Sequence, residues 1–271
     1  MIWLAIDTSS SVGSAALVQD GIPLETATLT SLPGHSESLL YSVTRLLDGA
    51  HLSLGEVDLL AAGVGPGSFT GLRVGLAAMK GLHHATGKPL LGVSSLLALA
   101  MNAMRQEAGG TRREARTVNS VSHASRLTLH ARNVCAAIDA RRGDVFAAVY
   151  RLDGVALAPF MSEQMTRPEA LLEELERLGA EVICVGDAFV AQPSATSHQP
   201  SAGRRPALMP HASCLVPGRP FMHIPSDESL HFPSAANVAS IAARRFERGE
   251  TDNAAALEPR YVRPVDFKTA G

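Results

Sequence analysis

Two segments of the chain repeat one pattern of strands and turns, and this repeat constrains the fold more than any other feature. The segments run from Leu4 to Leu24 and from Ala136 to Leu157. In each, an apolar strand ends in Ile-Asp, a polar turn and a second strand follow, and Asp-Gly leads into a third strand. Asp-Gly between two strand patterns is a strong hairpin signal. A chance likeness of two hairpins is the alternative, but the matched register favours a duplicated unit.

The elements that follow each hairpin predict an α/β fold of two lobes. In the first lobe, apolar residues at helical spacing and short apolar runs give the order β-β-β-α-β-α-β-α, and the second lobe repeats a less complete version. The predicted domains are an N-terminal lobe at residues 1–104, an Arg-rich connection at 105–133 and a C-terminal lobe at 134–271. The predicted helices span residues 34–49, 68–85, 94–104, 167–178 and 234–248.

Two stretches interrupt this order. Residues 105–132 contain six Arg and no aromatic residue, which fits a basic nucleic-acid arm or, as we favour, a solvated connection between the lobes. Residues 191–233 contain eight of the sixteen prolines, so we expect a long surface loop without regular helix or sheet. The histidines of this loop lack metal-ligand spacing: they are His198, His211, His223 and His231.

The turn GPGSFTGLRVG, at residues 65–75, joins an apolar strand to an apolar helix. Free backbone N–H groups at a helix start can hold an anion, but glycines there also let a helix pack closely against a neighbour. The turn lacks the Lys and the Ser or Thr that follow the last Gly of a P-loop, and it lacks the third Gly of the dinucleotide motif. It is therefore a weak ligand signal, and the alternative is a tight turn with Ser68 as the helix N-cap.

The helix after this turn carries apolar or small side chains on two faces. At about 100° per residue, one stripe is Phe69, Leu72, Leu76 and Met79, and a second, mostly small one is Gly71, Gly75, Ala78 and Leu82. A helix that lies on a sheet needs only one buried face, so the second face predicts another helix pressed against it. That helix belongs either to this chain, around Leu39–Leu47, or to a partner.

A carboxylate followed by hydroxyls ends the first strand, in the sequence Asp7, Thr8, Ser9 and Ser10. Asp can organise Mg²⁺ and hydroxyls can hold phosphate, so these residues are a candidate site for ATP or ADP with magnesium. The alternative is a turn whose side chains satisfy its own backbone. The matching turn of the second segment, Asp139 to Asp144, has one Gly and two Arg and makes a poor phosphate cradle.

Composition and spacing exclude several classes of site. The net charge of −2 creates no field that would attract nucleic acid by itself. The three cysteines are widely spaced without a C-x-x-C pair, and no two histidines lie four residues apart, so we expect inert thiols and no metal site. No signal peptide and no apolar run long enough to cross a bilayer is present, and we expect a soluble cytoplasmic protein.

Three motifs in order resemble the TsaB (YeaZ) family: IDTSSSVGSAAL at residues 6–17, GPGSFTGLRVG at 65–75 and AIDARRGDVFAAVY at 137–150. The resemblance covers residues 1–104 and 134–190 well and the motif EPRYVRP, from residue 258, weakly. It implies two ribonuclease-H-like lobes of the actin-like/Hsp70-like/sugar-kinase (ASKHA) fold. It also implies a cytoplasmic, non-catalytic subunit that needs no cofactor and helps to form threonylcarbamoyladenosine in tRNA.

The partners that the resemblance implies are the catalytic TsaD subunit, as a heterodimer, the TsaE ATPase and, through the complex, tRNA. In the family, the two N-lobe helices contact TsaD as a helical bundle, and these correspond to Ser36–Asp48 and Ser68–Ala85. The interface residues implied on them are Leu39, Leu40, Val43, Leu46, Leu47, Gly71, Leu72, Arg73, Gly75, Leu76, Ala78 and Met79. The missing His pair and the degraded second phosphate loop fit a subunit without catalytic residues of its own.

Two other functions compete with this one. The run from Asp7 to Ser9 would also suit an autonomous ATP-dependent phosphotransferase of the same fold. Direct tRNA binding through the Arg-rich connection is a weaker option, and a steep salt dependence of tRNA affinity would be its signature. A homodimer of the isolated chain stays open.

Overall fold

The computed structural model describes residues 1–30, 35–113, 133–153, 156–190 and 219–262, whose strands form two five-stranded sheets. The strands of the first, the N-sheet, are β1 (Ile2–Asp7), β2 (Val12–Gln19), β3 (Ile22–Thr30), β4 (Leu59–Gly63) and β5 (Leu90–Val93). The strands of the second, the C-sheet, are β6 (Asn133–Arg141), β7 (Asp144–Asp153), β8 (Ala156–Thr166), β9 (Val182–Val185) and β10 (Met222–His223). The strand orders are β3-β2-β1-β4-β5 and β10-β9-β6-β7-β8.

The two sheets have the same topology. Strand β1 pairs antiparallel with β2, as β2 does with β3, whereas β1 pairs parallel with β4 and β4 with β5. Strands β6 to β10 repeat each of these relations. The duplicated unit is therefore confirmed, and with it the α/β fold class of two ribonuclease-H-like lobes of the ASKHA type.

The first Asp-Gly turn forms as predicted. Asp20 and Gly21 have φ angles of 49° and 84° and separate the paired residues Gln19 and Ile22. Two successive positive φ angles match the right-handed twist of the flanking strands, which is why Asp-Gly is favoured there. In the second hairpin Asp153 pairs with Ala156, and Gly154 lies outside the described residues.

Five α-helices are described: α1 (His35–Gly49), α2 (Phe69–Thr86), α3 (Ser95–Arg113), α4 (Pro168–Arg177) and α5 (Ala235–Glu247). Helix α3 continues to Arg113, so the prediction that the connection begins at residue 105 is wrong for 105–113. Arg105 to Ala108 are good helix formers and continue the helix although its apolar periodicity is weak. The rest of the predicted connection, residues 114–132, lies outside the described part of the chain.

The two lobes exchange helices. Helix α5 packs its small face, which includes Ala235, Ala239 and Ala242, on the N-sheet against Trp3 and Val18. Helix α3 packs on the C-sheet, where its leucines join a cluster of apolar residues from β6, β7 and β9. Helices α1 and α2 cover the other face of the N-sheet, and α4 covers the other face of the C-sheet.

This exchange corrects the predicted domain boundaries. Residues 234–262 fall in the predicted C-terminal lobe but pack on the N-sheet. Helix α3 begins within the predicted N-terminal lobe but packs on the C-sheet. The physical reason is that each sheet needs an apolar cover on both faces, and the helix that supplies it need not be its neighbour in the chain.

The described part of the proline-rich stretch contains regular structure, contrary to the prediction. Strand β10 extends the C-sheet beside β9, and a 3-10 helix spans Glu228–His231. His231 is buried, with Nε2 2.8 Å from the Pro225 carbonyl oxygen, rather than lying on a surface loop. Residues 191–218, with His198 and His211, lie outside the described ranges.

A side chain from the last turn of α5 and one from the segment after it cover the free edge of β5. Asp252 Oδ2 accepts a hydrogen bond from the Gly92 N–H at 2.8 Å, and Arg245 Nη1 donates to the Gly92 carbonyl at 2.7 Å. Arg245 also pairs with Asp252 and Glu250 at 2.9 and 2.8 Å. An edge strand exposes unpaired backbone groups, and here two side chains satisfy them.

Candidate functional site

The carboxylate of Asp7 lies at the end of β1 and is buried. Its Oδ1 accepts hydrogen bonds from the N–H and the hydroxyl of Ser9 at 2.8 and 2.5 Å, and its Oδ2 accepts one from the Ser95 hydroxyl at 2.7 Å. Burial raises the pKa of Asp7, and the hydrogen bonds from Ser9 and Ser95 oppose that rise. Both carboxylate oxygens are therefore engaged by groups of the chain itself.

Four glycines make room for the β1–β2 turn that begins at Asp7. A Cβ on Gly63 would lie 2.6 Å from Asp7 Cγ, and one on Gly67 would lie 2.7 Å from Ser9 Cβ. A Cβ on Gly71 or on Gly75 would overlap an oxygen of Thr8. The expectation that the small face of α2 packs against another helix is thus wrong for Gly71 and Gly75, because the β1–β2 turn occupies that space.

The turn at residues 65–75 is used for packing and capping. Ser68 is the N-cap of α2, as predicted, because its Oγ accepts a hydrogen bond from the Gly71 N–H at 3.2 Å. The Ser68 N–H donates to the Ser9 carbonyl at 2.6 Å, and the Gly65 N–H donates to Ser95 Oγ at 3.2 Å. These N–H groups therefore already have partners in the chain, which weakens the interpretation of the turn as an anion cradle.

The structure brings Asp7, Thr8, Ser9 and Ser10 together in one turn, but gives each side chain a partner within the chain. Thr8 Oγ1 donates to the Gly71 carbonyl at 2.7 Å, and Ser10 Oγ donates to the Val12 carbonyl at 2.8 Å. This is the alternative in which the turn satisfies its own backbone. Sequence reasoning missed Ser95, which lies far from Asp7 along the chain and carries no motif.

The corresponding turn of the second lobe is tighter. Arg142 and Gly143, with φ angles of 58° and 91°, separate the paired residues Arg141 and Asp144. Asp139 Oδ1 accepts the Arg141 N–H at 2.8 Å. The turn has no room for a loop of backbone N–H groups around a phosphate, in agreement with the poor cradle predicted from its sequence.

Asp187 follows β9 and lies beside Asp139. Its Oδ1 accepts the Asp139 N–H at 2.9 Å. Burial raises the pKa of Asp187 to about 6, the nearby Asp139 carboxylate adds to the rise, and Arg141 opposes it. Nothing in the local sequence of Asp187 indicates that the 3-10 turn at Asp187–Phe189 is buried, so the sequence carries no signal for this carboxyl.

Most of the predicted partner-interface residues are buried inside the N-terminal lobe. Gly75 packs on Thr8, while Gly71 and Ala78 are half-buried. The side chains of Leu40 and Arg73 are exposed. The residues that the core removes from any direct contact with a partner are Leu39, Val43, Leu46, Leu47, Leu72, Leu76 and Met79. The buried part of the apolar stripe of α2 therefore belongs to the core of this lobe, together with the leucines of α1, and Ala78 and Leu82 of the small stripe pack against the same cluster.

An exposed face nevertheless remains on this pair of helices. Phe69, Arg73, Ala77 and Gly81 are exposed at successive fourth positions of α2, and a Cβ on Gly81 would meet no side chain within 4 Å. Helix α1 exposes two large apolar side chains, Leu40 and Tyr41. We define the docking face as the exposed residues Leu40, Tyr41, Phe69, Arg73, Ala77 and Gly81.

One aromatic residue on this surface comes from outside the two helices. The Tyr261 ring lies 5.3 Å from the Phe69 ring, centroid to centroid, and its hydroxyl accepts a hydrogen bond from Arg73 Nε at 3.0 Å. The Arg73 guanidinium stands 3.8 Å from the centre of the Phe69 ring. The only sequence signal for Tyr261 is the weak EPRYVRP motif.

Neither a metal site nor a membrane-spanning helix is found in the described ranges. Among them, no group of three or more His, Cys, Asp or Glu side chains is placed to hold a metal ion. No helix in the same part of the chain combines the length and apolarity that crossing a bilayer requires. Cys135 and Cys184 face each other on β6 and β9 and are buried, and burial raises the pKa of Cys184.

The family model described as TsaD, tRNA N6-adenosine threonylcarbamoyltransferase, matches residues 30–114. The chain is 30% identical to the tRNA threonylcarbamoyladenosine biosynthesis protein TsaB of Escherichia coli K12, over 96% of this chain and 94% of that protein. The TsaB of Haemophilus influenzae is 31% identical over 70% of this chain and 74% of its own length.

A solved structure agrees over nearly the whole chain. An uncharacterised protein from Pseudomonas aeruginosa, described as similar to the peptidase YeaZ, superposes with a TM-score of 0.70 at 28% identity. The match covers 97% of this chain and 99% of that one.

Proposed function

Since this chain belongs to the TsaB family of tRNA threonylcarbamoyladenosine biosynthesis proteins, we propose that it is a non-catalytic subunit that binds and activates the transferase TsaD. The observation that carries the proposal is the docking face, an exposed surface of apolar, small and aromatic residues with one Arg, on two packed helices. Exposed apolar surface of this kind usually marks an interaction site.

The match to the TsaD family model supports this choice of partner. Residues 30–114 span α1, α2 and α3, so a TsaD chain carries a counterpart of the same helix pair. Two related surfaces can associate about a pseudo-two-fold axis, in the way that identical surfaces form two-fold dimers. The same argument leaves a homodimer of the isolated chain as a competing association, which light scattering on the purified chain measures.

The proposed lack of catalysis rests on two observations. The carboxylate of Asp7 is already hydrogen-bonded within the chain, and the β6–β7 turn is tight. Asp7 accepts three hydrogen bonds from the chain, and Arg142 and Gly143 leave no phosphate loop. We therefore propose that Asp7 to Ser10 hold the N-lobe together and that this subunit needs no nucleotide of its own. Calorimetry with Mg-ATP and Mg-ADP should show no saturable binding, and phosphotransfer by the isolated chain would favour the phosphotransferase alternative.

The partnership is tested by co-purification with TsaD. Gly81→Arg places a long charged side chain on the docking face at a position where a Cβ has open space, and it should abolish the complex. Gly75→Arg is unsuitable, because any side chain there overlaps Thr8, so a lost complex could reflect damage to the fold. Ala180→Arg, at an exposed position after α4, is the control and should leave the complex unchanged.

The outcomes separate two claims. An undiminished complex with Gly81→Arg would contradict the docking face, whereas absence of a complex with the wild-type chain would contradict the partnership itself. The TsaE ATPase and tRNA reached through the complex remain predictions. Adding each to the purified pair, in size-exclusion chromatography, tests them separately.

A further inference from the structure

The segment at residues 251–262 runs from the end of α5 across the N-lobe to α2. Lys80 Nζ of α2 donates to the Ala255 carbonyl at 3.2 Å, and the Arg260 N–H donates to the Val64 carbonyl at 2.7 Å. Leu257 packs over Gly92, where a Cβ would lie 2.7 Å from its side chain. These contacts fix the path of the segment, so that its last described residues lie beside the start of α2.

Arg260 and Tyr261 reach to different parts of the molecule. Tyr261 joins Phe69 and Arg73 on the docking face, through the ring contact and the hydrogen bond described above. Arg260 Nη1 lies 3.8 Å from Glu163 Oε2 on β8 of the C-sheet. Neighbouring residues of one segment therefore link the other lobe to the docking face.

Glu163 is itself a contact between the lobes. Its Oε1 accepts a hydrogen bond from the hydroxyl of Ser94, the residue between β5 and α3. The same hydroxyl oxygen caps α3, because it accepts a hydrogen bond from the Leu97 N–H at 3.1 Å. The Glu163 side chain is only 20% exposed. A carboxylate in this position can hold Arg260 in place only while the two lobes keep their present arrangement.

The Tyr261 cluster has the composition of an interface hot spot. The Phe69 and Tyr261 residues are 54% and 50% exposed, and Arg73 makes no ion pair with any described residue. Aromatic residues and Arg dominate the binding energy of many protein interfaces. Because the three side chains already contact one another, their ordering on binding to a partner would cost little side-chain entropy.

We propose that Tyr261 is part of the surface that binds the transferase subunit, and that Glu163 is a positioning residue that sets the place of Tyr261 through Arg260. This inference rests on the proposed function. The transferase is the occupant because Phe69 and Arg73 belong both to the cluster and to the α2 stripe, so the surface is continuous with the docking face. RNA is disfavoured as the occupant, because Glu163 faces Arg260 and the chain has a net charge of −2.

The first test measures the affinity of TsaD for variants of Tyr261. Tyr261→Ala should weaken binding by about tenfold or more. Tyr261→Phe keeps the ring and loses only the hydrogen bond from Arg73, so it should retain most of the affinity. Phe160→Ala is the matched control, because Phe160 is also 50% exposed but lies on the C-sheet. Its ring centre is 4.8 Å from the guanidinium carbon of Arg151, so it too pairs with an Arg. Equal affinity of Tyr261→Ala and wild type would overturn the proposal.

The second test asks whether Glu163 acts through Tyr261. Glu163→Gln removes the charge that faces Arg260 and keeps an acceptor for Ser94, and it should weaken TsaD binding by about threefold or more. In the double variant with Tyr261→Ala, the loss should be no larger than for Tyr261→Ala alone. Additive losses would show that Glu163 does not position Tyr261. Glu176→Gln, which removes the exposed pair with Arg219, is the control and should leave binding unchanged.

A measurement without the partner separates this inference from the proposed function. Hydrogen exchange on the isolated chain should show faster exchange at residues 258–262 in Glu163→Gln than in wild type, and no such change in Glu176→Gln. A wild-type chain that fails to bind TsaD rejects the proposed function and this occupant, while the exchange result still decides the positioning role. Binding of tRNA by the isolated chain that is lost in Tyr261→Ala, with TsaD affinity unchanged, would assign the surface to RNA instead.

Discussion

Gly63 and Asp7 are neighbours on paired strands β4 and β1, and they can be so only because Gly63 has no side chain. A Cβ on Gly63 would overlap Oδ2 of Asp7 and come within 2.6 Å of its Cγ and 3.0 Å of Ser95 Oγ. The glycine therefore makes possible the buried hydrogen bonds that join β1 to the start of α3.

Gly63→Ala should destabilise the protein by about 3 kcal/mol or more, because it displaces a buried carboxylate from its hydrogen-bond donors. Urea unfolding followed by circular dichroism measures this loss. The control is Gly81→Ala on α2, where the space is open and the change should stabilise the helix by about 0.5 to 1 kcal/mol. A Gly63→Ala protein as stable as wild type would mean that Asp7 does not hold the lobe together.

Gly75 and Thr8 should behave as a coupled pair. A Cβ on Gly75 would overlap Thr8 Oγ1, so Gly75→Ala should destabilise the wild-type chain by about 2 kcal/mol. Thr8→Ala removes that oxygen, and in this background the same substitution should cost at least about 1 kcal/mol less. The comparison is a double-mutant cycle of unfolding free energies, and strictly additive values would show that the two residues do not touch.

The raised pKa of Asp187 should make the stability of the protein depend on pH. Burial raises its pKa to about 6 in the folded chain, whereas the unfolded chain keeps the ordinary value of 3.8. The folded state thus binds more protons between these values, and stability falls as the pH rises from about 4 to about 6 and then stays level.

Asp187→Asn removes this titration and keeps an oxygen to accept the Asp139 N–H. At about pH 8 the variant should be more stable than wild type by roughly 1 to 3 kcal/mol, and the difference should shrink as the pH falls towards about 4. Urea unfolding of both proteins at several pH values measures it. A difference that stays constant with pH would show that Asp187 ionises at its ordinary pKa.

Removal of the Arg245 side chain should destabilise the edge of the N-sheet. Arg245→Ala leaves the Gly92 carbonyl and the Asp252 carboxylate without their donor, and it should cost about 1 to 3 kcal/mol. Arg248→Ala is the control, since Arg248 is exposed and its pairing with Glu250 should contribute less than about 1 kcal/mol. Thermal unfolding compares the two, and equal melting temperatures would exclude the proposed role of Arg245.

Much of the local structure could be predicted from the sequence, because it depends on residues close together in the chain. Asp20 and Gly21 supply the two positive φ angles of their hairpin, and Ser68 caps α2 through the Gly71 N–H. The repeat of the two Ile-Asp segments predicted a duplicated unit, because the same pattern of strands and turns leads to the same pairing, but it did not predict β10, the fifth strand of the C-sheet. These features follow from backbone preferences and short-range hydrogen bonds.

The sequence could not predict which surfaces meet. The alanines of α5 suit either sheet, and the structure places them on the N-sheet although the helix follows the C-terminal lobe. The glycines of α2 permit a close approach without indicating what approaches, and the structure places Thr8 there rather than a partner helix. Apolar spacing predicted buried faces correctly, but Leu39 and Leu76 are buried within one lobe rather than at an interface.

The sequence by itself determined the duplicated α/β unit, its turns and caps, and the family to which the chain is similar, because these depend on local spacing and on ordered motifs. Only the tertiary structure decided that Ser95 bonds to Asp7, that α3 and α5 exchange lobes, and that Tyr261 stands beside Phe69 and Arg73. The physical reason is that such contacts join residues far apart in the chain, and burial and packing select them only when the whole fold has formed.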